Sequence, residues 1–239
     1  LPIFRLFRER YPEARISLLT LERNRPLLEG NEDLDEIWTV GDTGAFRLVG
    51  SLLRTLFGLR RAKIDLFVDF EQFARTSTLV GFLIGAPQRV GLKTPKQGRF
   101  VLYTAPVRYR EDQHMSGTFL DVARCAGVEA DGYRPLPVPY GTAEADRVGA
   151  LLGDSPGRLV AVHVGSGDNF IGRRWPPENF ARLLDRLVSE TGVTPVLTGT
   201  DGERPLVRDV VSRMREAKRT IDLSGRLGLR ELAALIDRS

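Results

Sequence analysis

Apolar residues recur along the chain in two alternating patterns. Short runs rich in β-branched and aliphatic residues predict strands, and longer stretches with apolar positions three or four residues apart predict amphipathic helices. The predicted strands span residues 15–20, 36–40, 64–70, 89–92, 158–164, 193–198 and 220–223. The predicted helices span residues 1–10, 23–30, 44–62, 73–85, 112–127, 143–153, 177–191, 201–218 and 229–237. Because strands and helices alternate almost throughout, the pattern predicts an α/β protein with parallel sheets.

A proline-rich connector separates two such series. Pro135, Pro137 and Pro139 fall within five residues. So dense a run of prolines cannot continue a helix and favours an extended linker. We therefore predict an N-terminal lobe over residues 1–138 and a C-terminal lobe over residues 139–239. Since open parallel sheets bind ligands at the carboxyl ends of their strands, the cleft between two such lobes is the expected site.

The composition is that of a globular protein. Of 239 residues, 42% are hydrophobic and 28% charged, which excludes a wholly disordered chain. The longest apolar run, Leu79 to Ala86, is far shorter than the roughly 20 residues that a membrane span needs, so we predict no transmembrane segment. The single cysteine, Cys125, excludes an internal disulfide and a cysteine-rich zinc site, and it fits a reducing cytoplasm.

Positive charge is concentrated in the first lobe, although the net charge of the whole chain is only +4. Between Glu71 and Glu111 the sequence has no acidic residue. The cations of this segment and of the residues just before it are Arg60, Arg61, Lys63, Arg75, Arg89, Lys93, Lys96, Arg99, Arg108 and Arg110. Such a segment is typical of a surface that attracts an anionic partner, or of a basic surface that is simply solvated. Because no recognisable nucleic-acid-reading motif accompanies it, nucleic acid is not an expected partner.

The most informative stretch is residues 162–180, VHVGSGDNFIGRRWPPENF. A predicted strand is followed by a Gly-Ser-Gly turn, two arginines and a helix start, and each of these features suits a diphosphate. Glycine lets backbone N–H groups approach an anion, serine adds a hydroxyl donor, arginine offers a charged fork, and a helix N-terminus favours negative charge. Taken singly, the glycines are also typical of an ordinary turn and the prolines of an ordinary helix start.

The same stretch argues against two common nucleotide-binding patterns. A P-loop needs Gly-Lys-Ser/Thr, which does not occur in this sequence. The dinucleotide pattern needs a third glycine at position 170, where this chain has Phe170. P-loop phosphoryl transfer and NAD binding are therefore disfavoured.

The run H-x-G-S-G … R-R-W-P-P-E-x-F resembles the signature of glycosyltransferase family 9, the ADP-heptose:lipopolysaccharide heptosyltransferases and their relatives. Residues 196–204 resemble the family's strand followed by a Gly-x-x-x-Glu turn, and residues 221–236 resemble its next strand, loop and helix. Upstream, residues 24–31, 64–69 and 89–92 occur in the order expected of the family. The resemblance thus runs along nearly the whole chain.

This resemblance implies a GT-B fold, in which two Rossmann-like lobes face a cleft, the acceptor binds the first lobe and the nucleotide sugar binds the second. It implies that Ser166 and Arg173 contact the donor diphosphate, that Glu203 hydrogen-bonds the ribose, and that His163 lines the site beneath the diphosphate. The implied donor site is completed by Gly165, Gly167, Thr198 and Gly199. Glu203 is also explained as a first-turn acid of a helix, and His163 as a hydrogen-bonded core histidine.

The implied reaction transfers a heptose or a related sugar from a nucleotide-diphosphate donor, ADP-heptose by resemblance, to the inner core of lipopolysaccharide or a similar glycan. Family members are typically metal-independent, so we expect no cofactor. An anionic glycolipid is the expected acceptor. The cations assigned to it are Arg60, Arg61, Lys63, Arg89, Lys93 and Lys96. The expected location is the cytoplasm, with peripheral contact at the cytoplasmic face of the inner membrane.

Two family elements are missing from the sequence, and we therefore expect a fragment that lacks both ends. The first strand and its Gly-Asp turn, whose Asp is the expected general base, would precede Leu1, and an Asp-Ser/Thr-Gly-x-x-His motif would follow Ser239. The catalytic base is thus unassigned, and the fragment alone need not be active. Two alternatives stay open: a sugar-nucleotide epimerase of GT-B architecture, and a nucleotide-binding module without turnover.

Overall fold

The computed structural model describes residues 2–41, 45–129, 131–132, 134–154 and 157–239, apart from the side chains of 45–48 and 168–170. Tyr133 of the proline-rich connector lies outside the described residues. The chain divides into two compact units, Leu1–Pro137 and Val138–Ser239. This division falls one residue from the boundary that the prolines predict, while the substrate assigned to each lobe stays a prediction.

The first unit contains two parallel sheets with helices between their strands. Its strands are β1 (Ser17–Leu21), β2 (Glu36–Val40), β3 (Leu66–Asp69), β4 (Gln88–Lys93) and β5 (Ala105–Arg108). Its helices are α1 (Pro2–Arg10), α2 (Ala45–Arg61), α3 (Arg75–Leu83) and α4 (Met115–Cys125). Strands β1 and β2 form one sheet, and β3, β4 and β5 form the other in that order. Every pairing is parallel, as the alternation of strands and helices predicts.

The first unit buries its apolar side chains in two clusters. One lies under α2 and α3, where Leu59, Val80 and Ile84 pack with Trp38. The other lies under α1 and α4 and includes Val122. These two clusters account for the inner faces of the four helices.

The second unit is a three-stranded parallel sheet with two pairs of helices. Each pair packs in its own core cluster. Its strands are β6 (Leu159–His163), β7 (Thr194–Thr198) and β8 (Ile221–Asp222), hydrogen-bonded in that order. Its helices are α5 (Thr142–Leu152), α6 (Pro177–Thr191), α7 (Arg204–Arg213) and α8 (Leu229–Asp237). Helices α6 and α7 pack in one cluster, and α5 and α8 pack in the other. All five residues of β7 are buried, since it is the central strand and is covered on both faces.

Three segments differ from the sequence-based expectation. The expected helix at 23–30 is a 3₁₀ helix, Glu22–Leu27, with Pro26 inside it. The long helix expected at 201–218 is shorter, because Met214 adopts extended backbone and ends α7. Strand β5 was not predicted at all, because Pro106 lies within it. Proline is tolerated there because β5 is an edge strand. No strand lies on its outer side, so an N–H missing on that side loses no hydrogen bond of the sheet.

Candidate functional site

Three loops of the second unit lie at the carboxyl edge of its sheet. Residues 165–167 follow β6, residues 199–203 follow β7 and residues 223–225 follow β8. Backbone bonds tie the loops together: the Gly225 N–H donates to the Gly199 carbonyl at 2.8 Å. Parallel strands all end at the same edge, so this edge collects the predicted donor residues that follow β6 and β7.

Glu203 holds the glycine turn in place. This residue is only 5% exposed. One carboxylate oxygen accepts the Gly167 N–H at 3.1 Å, and the other accepts the N–H and the hydroxyl of Thr200 at 2.9 and 3.0 Å. The carboxylate also fills the space beside Gly165, where an added Cβ would lie 1.8 Å from Oε1. Only glycine fits at position 165, and the carboxylate orients the turn from the inside.

The same donors determine how Glu203 ionises. Burial acts to raise the pKa of this carboxyl, but the N–H groups of Thr200 and Gly167 and the Thr200 hydroxyl outweigh burial, and His163 adds a smaller effect. The pKa of Glu203 therefore lies below its ordinary value, and the group is a carboxylate at neutral pH. In this structure the Glu203 oxygens accept hydrogen bonds from the protein. The assignment of Glu203 to the ribose stays a prediction.

His163 borders the turn at the end of β6. Its side chain is 52% exposed. Nδ1 lies 3.3 Å from Oγ1 of Thr198, its register partner on β7, and Nε2 lies 3.9 Å from Oε2 of Glu203. Because half of the ring meets solvent, His163 is not a core histidine, which was one of the two interpretations that the sequence left open.

Arg174 contacts the turn. Its Nε donates to the Ser166 hydroxyl at 3.1 Å, and its Nη2 donates to the Gly167 carbonyl at 3.4 Å. Arg173, the arginine chosen from the sequence, ends the 3₁₀ helix Asp168–Arg173 and is exposed. Sequence reasoning missed Arg174 because two adjacent arginines carry the same signal. The role of each in binding a diphosphate stays a prediction.

The first unit has a basic cavity of about 980 Å³ at the carboxyl ends of β4 and β5. The cations that line it are Lys93, Lys96, Arg108 and Arg110. The Lys93 ammonium lies 4.7 Å from the centre of the Phe100 ring, which is also part of the wall. Such a contact favours the cation and holds it near the ring.

Two acidic residues, Glu111 and Asp112, also line this cavity, which reduces its positive charge. Arg110 pairs with Asp112 at 3.3 Å, but both side chains are exposed, so that this pair is weak. The four cations outnumber the two acids. We infer that the cavity suits a polyanionic ligand.

A buried ion pair anchors the segment next to this cavity. The side chains of Arg99 and Asp69 are 1% and 3% exposed, and Nη2 lies 2.9 Å from Oδ2. The Tyr103 hydroxyl donates to the same Asp69 oxygen at 2.6 Å and lies 2.8 Å from Oγ1 of Thr78. Burial and the charge of Asp69 raise the pKa of Tyr103 to about 12. Since Arg99 immediately precedes Phe100, the pair fixes the backbone that carries the wall of the cavity.

The sequence could not reveal this pair. In the sequence Arg99 is one more cation of the basic segment, and Asp69, the partner of Arg99, is 30 residues away along the chain. Only the fold brings them together.

The other predicted acceptor cations lie outside the cavity. Arg60 and Arg61 end α2, and Lys63 follows it with a positive φ of 52°. Arg89 lies near the amino end of β4, four residues before Lys93, which is about 13 Å away along an extended strand. Its guanidinium donates to the carbonyls of Leu102 and Ala86. Their contact with an acceptor stays a prediction.

Two further results concern metals and membranes. Across the residues that the structure describes, no group of three or more His, Cys, Asp or Glu side chains is placed to hold a metal ion. Metal-independence of the reaction stays a prediction. Within the same described ranges, the helices are all too short or too polar to cross a bilayer.

Comparison with known proteins places these features in a family. The family model for glycosyltransferase family 9 (heptosyltransferase) matches residues 53–239. This range contains the glycine turn, Glu203, the buried Arg99 pair and the basic cavity.

Two curated relatives are similar to the chain. Lipopolysaccharide heptosyltransferase 3 of Escherichia coli strain K12 is 23% identical over 250 aligned positions, which cover 99% of this chain and 69% of that enzyme. Anhydro-N-acetylmuramic acid kinase of Rhodospirillum rubrum is 34% identical over 100 residues, which is 39% of this chain. The chain spans only 25% of that kinase.

Solved structures establish the fold. The glycosyl transferase family 9 protein of Veillonella parvula DSM 2008 superposes with a TM-score of 0.82 at 21% identity, covering 99% of this chain and 68% of that one. The E. coli ADP-heptose lipopolysaccharide heptosyltransferase II superposes with a TM-score of 0.74 at 18% identity, with coverages of 99% and 71%. The predicted fold class, α/β with parallel sheets of the GT-B type in two units, is confirmed.

Proposed function

Since the chain belongs to glycosyltransferase family 9 (heptosyltransferase), we propose that it serves the transfer of a heptose from ADP-heptose to the inner core of lipopolysaccharide. The observation that carries the proposal is the glycine turn at residues 165–167. It is held by the buried Glu203 and contacted by Arg174, and it lies in the stretch that matches the family. The E. coli relatives, a lipopolysaccharide heptosyltransferase and an ADP-heptose heptosyltransferase, support the choice of both substrates.

The chemistry that this turn would perform is stabilisation of a leaving group. When the bond between the sugar and ADP breaks, negative charge develops on the diphosphate. The Ser166 hydroxyl and the guanidinium groups of Arg173 and Arg174 would donate to that charge, which lowers the barrier electrostatically. In this mechanism Glu203 is a positioning residue, because it holds the turn and does not touch the diphosphate.

The acceptor would bind in the first unit. The inner core of lipopolysaccharide carries carboxylates and phosphates, and the basic cavity offers Lys93, Lys96 and Arg108 to such groups. The glycolipid resides in a membrane, so the protein would work at the cytoplasmic face of the inner membrane through a peripheral contact.

Nucleotide titration tests the donor half of the proposal. Isothermal titration of the chain with ADP, UDP and GDP is expected to give the tightest binding for ADP. Replacing Arg173 or Arg174 by Ala is expected to weaken ADP about tenfold, since one charge-assisted bond is lost. The matched control is Arg186→Ala on the outer surface of α6, where Arg186 pairs with Glu190. Equal affinity for all three nucleotides, or an effect of the control as large as that of Arg174→Ala, contradicts the proposal.

Steady-state kinetics of the enzyme test the acceptor half. The double variant Lys93→Gln/Lys96→Gln is expected to raise the KM for the glycolipid acceptor and to leave the KM for ADP-heptose unchanged. Added salt screens the charges and should narrow the difference in acceptor KM between the parent and the variant. The double variant Arg124→Gln/Arg186→Gln, which removes two charges from exposed pairs with Asp121 and Glu190, is the charge-matched control. Conversion of labelled donor into an epimeric nucleotide sugar without acceptor would instead favour a sugar-nucleotide epimerase.

A further inference from the structure

Helix α2 has an apolar surface that no part of its own unit covers among the described residues. Val49, Leu53 and Phe57 recur every four residues and therefore form one stripe along the helix. Their exposed fractions lie between 55% and 64%. The inner side of the helix is separate from this stripe, because Leu59 packs against the sheet in the core.

Helix α3 carries a second stripe of the same kind. Leu79, Phe82 and Leu83 recur at spacings of three and four residues and are each about half exposed, between 48% and 50%. Val80 and Ile84 point inward to the core. A surface helix normally keeps its outer side polar, so that large exposed side chains on two neighbouring helices need an explanation.

The two stripes border each other. Arg60 is seven residues, two helical turns, beyond Leu53 and therefore lies on the same side of α2. Its Nη1 donates to the Leu83 carbonyl of α3 at 3.0 Å. Gly58, on the other side of α2, faces the ring of Trp38 instead. We call this joint surface, formed by Val49, Leu53, Phe57, Leu79, Phe82 and Leu83, the α2–α3 face.

Helices α2 and α3 carry charge of a single sign. The sequences of α2 and α3 contain no Asp or Glu. Arg54, Arg60 and Arg61 are exposed on α2. The Arg61 guanidinium lies 5.1 Å from the centre of the Phe57 ring, and that of Arg89 lies 5.8 Å from the Phe82 ring. The apolar side chains and the cations are therefore interleaved.

We propose that the α2–α3 face docks on an anionic lipid bilayer. Apolar side chains next to Arg or Lys on a helix match the boundary between acyl chains and anionic headgroups. A second copy of the chain fits less well, because it would bring like charges together. A free anion would use the arginines but not the apolar stripes. The inference deepens the peripheral membrane contact of the proposed function by naming the surface that makes it.

Binding to vesicles tests the proposal. The chain is mixed with phosphatidylcholine vesicles that contain or lack phosphatidylglycerol, and the bound fraction is measured by sedimentation. We expect binding to the vesicles that contain phosphatidylglycerol, and Leu53→Ser/Phe57→Ser is expected to weaken it more than tenfold. Arg54→Gln/Arg61→Gln is expected to weaken it about fivefold for each charge removed.

The matched control replaces two exposed apolar residues of the second unit, Leu183→Ser/Ile236→Ser, which should leave binding unchanged. Circular dichroism checks that every variant is folded. The proposal is overturned if the parent chain ignores phosphatidylglycerol, if Leu53→Ser/Phe57→Ser binds like the parent, or if the parent dimerises without lipid and that variant is monomeric. The assay contains no nucleotide, so its failure leaves ADP binding and sugar transfer to be judged by their own experiments.

Discussion

Helices α6 and α7 of the second unit and helices α2 and α3 of the first unit perform the same structural task with opposite outer surfaces. Both pairs bury apolar side chains against parallel strands. The outer surfaces of α6 and α7 carry ion pairs at a spacing of four residues, Arg186–Glu190 at 3.0 Å and Arg213–Asp209 at 2.9 Å. The α2–α3 face has large apolar side chains and cations in their place. Since folding needs only the inner side of a helix, the outer apolar surface indicates binding.

The strand ends of the two units differ in a similar way. Each unit places a buried carboxylate near the carboxyl end of a strand. Glu203 accepts bonds from the backbone and hydroxyl of a loop, whereas Asp69 accepts bonds from the guanidinium of Arg99 and the hydroxyl of Tyr103. The first arrangement orders a turn, and the second stabilises the interior beside a cavity. Substitutions at Arg99, Gly165 and Glu203 separate these roles.

The largest effect is expected from Arg99→Met. The change leaves Asp69 buried without its cation, which should lower the free energy of unfolding of the first unit by about 3–5 kcal/mol. The chain has two tryptophans, one in each unit, so that Trp38 fluorescence in a Trp175→Phe background reports the first unit during urea unfolding. Arg186→Met, which breaks a fully exposed pair that water screens, should cost far less. Equal stability of Arg99→Met and the parent would refute a structural role for the pair.

A smaller effect, confined to the second unit, is expected from Gly165→Ala. The new Cβ would overlap the Glu203 carboxylate, so the turn must move, at a cost of about 1–3 kcal/mol. Trp175 fluorescence in a Trp38→Phe background measures this loss, and ADP affinity should fall about tenfold with it. Gly172→Ala is the control, because an added Cβ there meets no atom within 4 Å. ADP binding of Gly165→Ala at the parent's affinity would show that the turn is not the nucleotide site.

Glu203→Gln is expected to change how stability depends on pH. The pKa of Glu203 is lowered by folding, so its carboxylate stabilises the second unit above its unfolded pKa of about 4.5, and this contribution is lost as the pH falls through the folded pKa. At pH 7 the variant should be about 1–2 kcal/mol less stable. The difference from the parent should shrink steadily in acid. A difference that stays constant down to pH 3 would mean that Glu203 does not act as an anion.

The smallest effect is expected at the α2–α3 face. Leu53→Ser/Phe57→Ser should change the stability of the first unit by only about 0.5 kcal/mol, as for other exposed positions. Urea unfolding followed by Trp38 measures it, and Leu183→Ser in the second unit, followed by Trp175, is the parallel case. A loss above about 2 kcal/mol would indicate that the α2–α3 face is packed inside the protein.

Local patterns were sufficient for most of the fold. Strand β2 and helices α6 and α8 begin and end where the apolar spacing predicts, because propensity, spacing and stop signals agree there. Prediction failed where the local signal was mixed. The edge strand β5 contains Pro106, which disfavours a strand in the sequence pattern. Helix α7 ends before Met214, although the apolar spacing continues beyond that residue. Of the candidate site, the turn at residues 165–167 was found because strand, glycines and helix start follow one another in the sequence.

The amino-acid sequence by itself determined the α/β class, the position of the connector and the family signature, because each depends on residues close together along the chain. Only the tertiary structure decided which partners the charged groups take. Arg99 and Asp69 are 30 residues apart, and Glu203 reaches back 36 residues to Gly167. Likewise, the sequence groups Arg89 with Lys93, while the strand between them sends the two to opposite ends of a sheet. The burial of a side chain and its distance from other charged groups are fixed only when distant segments pack. Together they control whether a carboxyl is ionised and which surface a cation belongs to.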